Sequence, residues 1–184
     1  MNKAFRSILA ATTVAALMIP TFAGAVDSAA VVDAKVNDAI ANFKREVNGA
    51  DVFLSQAAGY LVFPRVIKVG IGLGGETGDG ALRVGGKTAG YYRTSAGSFG
   101  LQLGAQAKSI VIAFMTKESL DKFQNSSGWK VGIDGSVALI DLGAGKTIDS
   151  QNIKDPVVGF IFGSKGLMYN LTLEGSKISK VQRN

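Results

Sequence analysis

The chain has 184 residues, with 20 Lys and Arg against 14 Asp and Glu, a formal net charge of +6, and neither histidine nor cysteine. The two absences exclude Ser-His-Asp and Cys-His catalysis, the commonest zinc ligands, disulfides and lipidation of a cysteine. Only carboxylate, lysine or tyrosine chemistry remains, so a non-enzymatic protein without cofactor or bound metal is expected.

The N-terminus reads as a targeting segment. Lys3 and Arg6 precede an apolar run from Ile8 to Ile19, then Pro20 and the small residues Ala23-Gly-Ala25. The run is short for a membrane span, and the order is that of a secretory signal peptide over 1–25, cut after Ala25. Loss of Lys3 and Arg6 leaves 18 basic against 14 acidic residues. So mild an excess in an exported chain favours anionic surfaces and gives no reason to expect nucleic acid. The expected location is the periplasm or cell envelope, not as a lipoprotein.

Asp27 to Asn48 carries Val32, Val36, Ala39, Ile40, Phe43 and Val47 at helical spacing, which predicts an amphipathic helix. Asp27 or Ser28 caps its start and Asn48-Gly49 stops it. Lys35, Lys44 and Arg45 balance Asp33, Asp38 and Glu46 on its polar side. A helix built to lie on an anionic bilayer is usually basic there, so packing on the domain is the simpler reading. A second short helix is expected at Asp51–Ala57, completing a helical segment 26–56 ahead of a β-rich body 57–184.

The body is built of glycine-punctuated strands. Gly59 to Phe63 is the first, and Pro64 makes a strand end or a bend. From Ile67 to Leu73 apolar side chains alternate with Lys68, Gly70 and Gly72, the period of a strand. Its glycine face implies the close approach of another element or a ligand. Turns are expected at Thr77–Gly80, Gly85-Gly86 and Ser95–Gly97. Ser109–Met115 is apolar on both faces and reads as a central strand. Thr116 caps a helix over Lys117–Gln124, with Met115 and Leu120 at the staple positions. Trp129–Leu142 reads as a strand pair or a long bulged strand, bent at Asp134-Gly135, and Gly143–Asp155 as a loop. Val157–Phe162 and Leu167–Glu174 read as a hairpin, and Lys177–Val181 as a last short strand. The fold class is therefore α+β: an N-terminal amphipathic helix and an antiparallel barrel- or sandwich-like body with one short helix.

Several motifs fail on context. Gly70-x-Gly72-x-x-Gly75 fits a dinucleotide loop, but Glu76-Thr-Gly-Asp-Gly80 follows where a helix should open. Gly86-Lys87-Thr88 and Gly145-Lys146-Thr147 lack the leading glycine of a P-loop, since Ala81 and Ile140 stand there. Glu76, Asp79 and Asp134 lack calcium-loop spacing, and turns commonly carry Asp for backbone reasons. The charge pattern is more informative. Arg65, Lys68, Arg83, Lys87 and Arg93 face only Glu76 and Asp79 over 65–93, and Lys165, Lys177, Lys180 and Arg183 face Glu174. Each basic group held near an anionic bilayer contributes about 1 kcal/mol.

The segments LVFPRVIKVGIGLGGETGDGALRVGG, GYYRTSAGSFGLQLGAQAKSIVIAFMT, SSGWKVGIDGSVAL and PVVGFIFGSKGLMYNLTLEGSKI resemble the SYLF domain, most closely its bacterial exported branch. The resemblance runs from about Ala57 to Val181. It implies a lipid-binding module whose eukaryotic relatives meet phosphoinositide membranes, some also actin, and it brings no catalytic residues. The expectation is reversible attachment to anionic, phosphoinositide-like phospholipid membranes through Arg65, Lys68, Arg83, Lys87 and Arg93, with Lys35, Lys44 and Arg45 on the helix. The alternative is a structural or protein-interaction module with an envelope protein as partner.

Overall fold

The computed structural model describes residues 26–100, 106–140, 148, 154–163, 173 and 175–184; for 69–73, 98–100 and 106 it describes the backbone alone. Helix α1 spans Ala29–Glu46 and α2 spans Ala50–Gln56. Strands β1 (Gly59–Val84), β2 (Lys87–Gly100) and β3 (Gln106–Phe114) follow, then α3 (Lys117–Gln124). The last strands are β4 (Trp129–Lys130), β5 (Ala138–Ile140), β6 (Val157–Phe162) and β7 (Lys177–Val181). Among the described residues the strands form one sheet in the order β4-β7-β2-β1-β3-β6-β5, curled into a half-barrel. This is the expected α+β class. Pairing is antiparallel except at β5–β6, which is parallel and departs from the expected antiparallel body.

Both faces of the sheet are filled, which is why its central strands are apolar throughout. Val111 and Ala113 of β3 join Val158, Phe160 and Phe162 of β6 in a core covered by α1 and α2. Ile110, Ile112 and Phe114 point the other way, with Leu120 and Phe123 of α3 and Trp129. The predicted stripe of α1 is consumed here: Val32, Val36, Ala39, Phe43 and the capping Val47 are buried, and Ile40 partly so. Phe43 lies 5.2 and 5.1 Å from the rings of Phe160 and Phe162. Burying three side chains of this size contributes roughly 5 kcal/mol or more. Ser28 caps α1 by accepting from the Val31 N–H, and Gly49, at φ +82°, turns the chain into α2. Thr116 caps α3 as expected, through the Ser119 N–H. Met115, however, packs on the α1 side and Leu120 on the α3 side, so the expected staple splits between the two cores.

Three expected breaks in the sheet are corrected. Thr77–Gly80 is not a turn: β1 runs through it, each residue paired with Ser95 to Tyr92 of β2. Ser95–Gly97 is likewise extended, and β1 and β2 make one long hairpin. The true turn is Gly85-Gly86, with φ of +55° and +78°, a conformation that glycine adopts without strain. The glycines at 78 and 80 serve a different need. A straight strand of 26 residues would run about 85 Å, and β1 instead doubles back on itself. A Cβ at Gly80 would lie 2.1 Å from the Val62 carbonyl oxygen, and one at Gly78 2.6 Å from that of Arg65. Close approach thus occurs at Gly78 and Gly80; the approach expected at Gly70 and Gly72 lies outside the described side chains. Pro64 sits in the bulge between Phe63 and Val66 where β1 bends.

The third correction concerns Trp129–Leu142. Its two strands do not pair: β4 and β5 occupy opposite edges of the sheet. The turn between them is closed by the Val131–Gly135 bridge and by Asp134, whose carboxylate accepts from the Lys130 N–H. The loop over Gly143–Asp155 and the strand over Leu167–Glu174 lie mostly outside the described residues. Ile148 is buried against the two helices and donates its N–H to the Asn48 carbonyl.

Candidate functional site

The bulge at Pro64 turns Arg65 outward, and the missing side chain of Gly78 lets that backbone lie against the far half of β1. Between these segments and the start of α1 is a cleft of about 500 Å³, lined by Asp27, Lys35, Pro64, Arg65, Ile67, Thr77, Gly78, Asp79 and Arg93. The hairpin register sets Asp79 directly across from Arg93. Their side chains form a two-point fork, Nε to Oδ1 at 2.7 Å and Nη2 to Oδ2 at 3.0 Å. Arg183, after β7, brings Nη2 to 2.6 Å from Asp79 Oδ2 and donates from Nη1 to the Asp27 carbonyl at 3.2 Å. Lys35 pairs with Asp27 at 2.7 Å. Arg65 is exposed and makes no ion pair among the described residues.

Electrostatics follow the geometry. Burial would raise the Asp79 pKa, but the hydrogen bonds and charge of Arg93, with the charge of Arg183, outweigh it and hold the carboxyl below its ordinary value. The Asp79 bond raises Arg93 in turn. The side chain of Arg183 is 2% exposed, and its Nε and Nη2 have no acceptor in hydrogen-bond alignment. Four cations therefore meet two carboxylates here, a surplus of two positive charges.

Of the eight basic residues singled out in the sequence, the cleft gathers Lys35, Arg65 and Arg93. Arg83 is elsewhere and 7% exposed. It meets Asp33 at 3.2 Å, donates to Asn37 Oδ1 at 2.7 Å and contacts Thr88 Oγ1. Thr88 and Tyr91 also donate to Asp33, each at 2.8 Å. This network ties the polar edge of α1 to β1 and β2 and leaves Arg83 no access to a surface. Lys68 is half-buried on β1 opposite Gln106, and Lys87 is exposed beside the Gly85-Gly86 turn. Lys44 and Arg45 are exposed on the last turn of α1, Arg45 against Asn42 Oδ1.

The sequence reading missed Asp27, Asp79 and Arg183 as parts of the site. A signal for Asp79 existed: a hairpin centred on Gly85-Gly86 sets it within one residue of facing Arg93. The other carboxylates weighed for chemistry have structural partners. Glu76 pairs with the buried Lys108 at 2.7 Å, and Asp134 closes its turn. Among the described residues no group of three or more acidic side chains converges as a metal site would. No helix among them is long and apolar enough to cross a membrane.

A family model described as Ysc84, Las17-binding protein actin regulator, matches residues 95–184. The match starts within β2 and takes in β3, α3, β4 to β7 and Arg183; α1, β1 and Arg65 precede it. No curated protein matches the chain. The family is linked to lipid binding and to actin-related interaction, and the match over residues 95–184 is consistent with a domain of the Ysc84 (SYLF) family in that part of the chain.

Proposed function

We propose that the protein is exported to the cell envelope and attaches reversibly to anionic, phosphoinositide-like phospholipid surfaces, with no catalytic step. The observation that carries this reading is the cleft, where Lys35, Arg65 and Arg93 stand together at an exposed rim with charge to spare. A surplus of two charges near an anionic bilayer contributes about 2 kcal/mol, enough for reversible and salt-sensitive attachment. Lys68 and Lys87 add to the same attraction. Helix α1 supports the domain, not the bilayer: its stripe is buried and its polar edge is pinned by Arg83. Export is supported by the basic and apolar order of residues 1–25.

Flotation with liposomes tests the reading. Vesicles containing anionic lipid should carry the protein at low salt and release it as salt rises, because exposed charges are screened. Equal retention on neutral phosphatidylcholine at high salt would exclude the mechanism.

The description of the family as Las17-binding favours a second reading, a protein-interaction module with an envelope partner. Capture of one partner from envelope extract, with no lipid binding, would favour it; an exported chain would not meet cytosolic actin.

A further inference from the structure

The charge in the cleft is unbalanced in a way that specifies more than a generic anionic surface. Lys35 is matched by Asp27. Asp79 is shared by two guanidinium groups, those of Arg93 and Arg183. Arg65 is matched by nothing among the described residues. The lining residues carry three cations against two carboxylates, and the buried Arg183 guanidinium behind Asp79 raises the surplus to two beside a cleft of about 500 Å³, ample for a phosphate group and what it is attached to.

Unused donors accompany the surplus charge. Asp79 occupies Nε and Nη2 of Arg93 and leaves its Nη1 uncommitted. Among the described residues the whole Arg65 fork is uncommitted. Arg183 touches two lining residues, Asp27 and Asp79, and its buried Nε and Nη2 lack aligned acceptors. Its Nη2 nonetheless meets the Asp79 carboxylate at 2.6 Å, so Nε is the donor left over among the described residues. An acceptor-rich dianion answers the charge and the free donors of Arg65 and Arg93. A phosphodiester carries one negative charge, whereas a phosphomonoester near pH 7 carries close to two and offers three terminal oxygens. Arginine forks match phosphate oxygens in pairs.

We propose that this cleft is a discrete site for one phosphomonoester, gripped by Arg65, Arg93 and Lys35, with Arg183 behind Asp79 completing the charge. The inference deepens the membrane reading by naming the headgroup chemistry, and the group could equally belong to a soluble metabolite. Arg65 supplies the strongest single hold, because no carboxylate among the described residues has to release it first.

Two measurements test this together. In the first, glycerol 3-phosphate is titrated calorimetrically into wild type, Arg65→Ala and Lys117→Ala, the last an exposed residue of α3 outside the cleft. In the second, the same proteins are floated with phosphatidylcholine vesicles carrying equal fractions of phosphatidic acid, a monoester, or phosphatidylglycerol, a diester. The expected result is saturable 1:1 binding, weakened about tenfold or more by Arg65→Ala and unchanged by Lys117→Ala, with phosphatidic acid preferred. Binding of glycerol 3-phosphate without retention on either vesicle would uphold the cleft, assign it a soluble ligand and end the membrane reading. No saturable binding, with equal retention on both vesicles, would overturn the cleft and leave membrane attachment standing. Binding indifferent to Arg65→Ala, with unchanged circular dichroism, would also overturn it.

Discussion

At the scale of single residues, space and pairing govern what a substitution does. Gly80 and Gly97 are both strand glycines that a sequence reader would treat alike. Gly80 has the Val62 carbonyl where its Cβ would go, whereas Gly97 has nothing within 4 Å. Gly80→Ala should therefore lower stability by about 3 kcal/mol or more. Gly97→Ala should be neutral or gain up to about 0.5 kcal/mol. Urea denaturation of the pair reads both. Asp79 gives a pH signature. Its native pKa lies below the ordinary value of 3.8, so its contribution is complete above that value and fades as pH falls through the lower native one. Asp79→Asn should thus be destabilising at pH 7, and the gap in melting temperature should narrow below about pH 4. A gap constant down to pH 3 would show that charge is not what Asp79 contributes. The charges of the site were legible one by one in the sequence. Their partners were not, because Asp27, Asp79 and Arg183 come from three distant stretches and meet only when the sheet curls.

At the scale of elements, α1 is held twice, by Phe43 and its neighbours below and by the Asp33–Arg83 network at its edge. Removing Asp33 strands a buried guanidinium. Asp33→Ala should cost about 2 kcal/mol or more, below the full penalty of a buried pair because Asp33 is partly exposed. Arg83→Met combined with Asp33→Leu should cost less than Asp33→Ala alone, since no charge is left unpaired. Chemical denaturation of the three variants makes that comparison, and equal losses would remove the network from the account. Elements with a clear period were legible: α1, α3, β3 and β7 stand where their sequences put them. Strand ends were not. Glycine at 78, 80 and 97 looks locally like a turn, and only the crowding of β1 against itself reveals why two of them are extended. The pairing of Trp129–Lys130 and Ala138–Ile140 was equally hidden, because it depends on how far the sheet bends toward closure.

At the scale of the whole molecule, the half-barrel buries apolar surface on both of its faces, and the proposed attachment falls to the charged cleft beside the start of α1. Attachment should then resemble charge contact more than insertion, and its strength should fall steeply with salt. The distinction from a helix-inserting protein is sharp, because insertion would have to strip α1 from Phe160, Phe162 and Arg83. Hydrogen exchange on anionic vesicles at low salt separates the two most directly. The account predicts added protection at 65–67, 77–79 and 91–93, with the amides of Val32, Val36, Ala39 and Phe43 as slow as in the free protein. Loss of protection across α1 on binding, with the cleft segments unchanged, would contradict it.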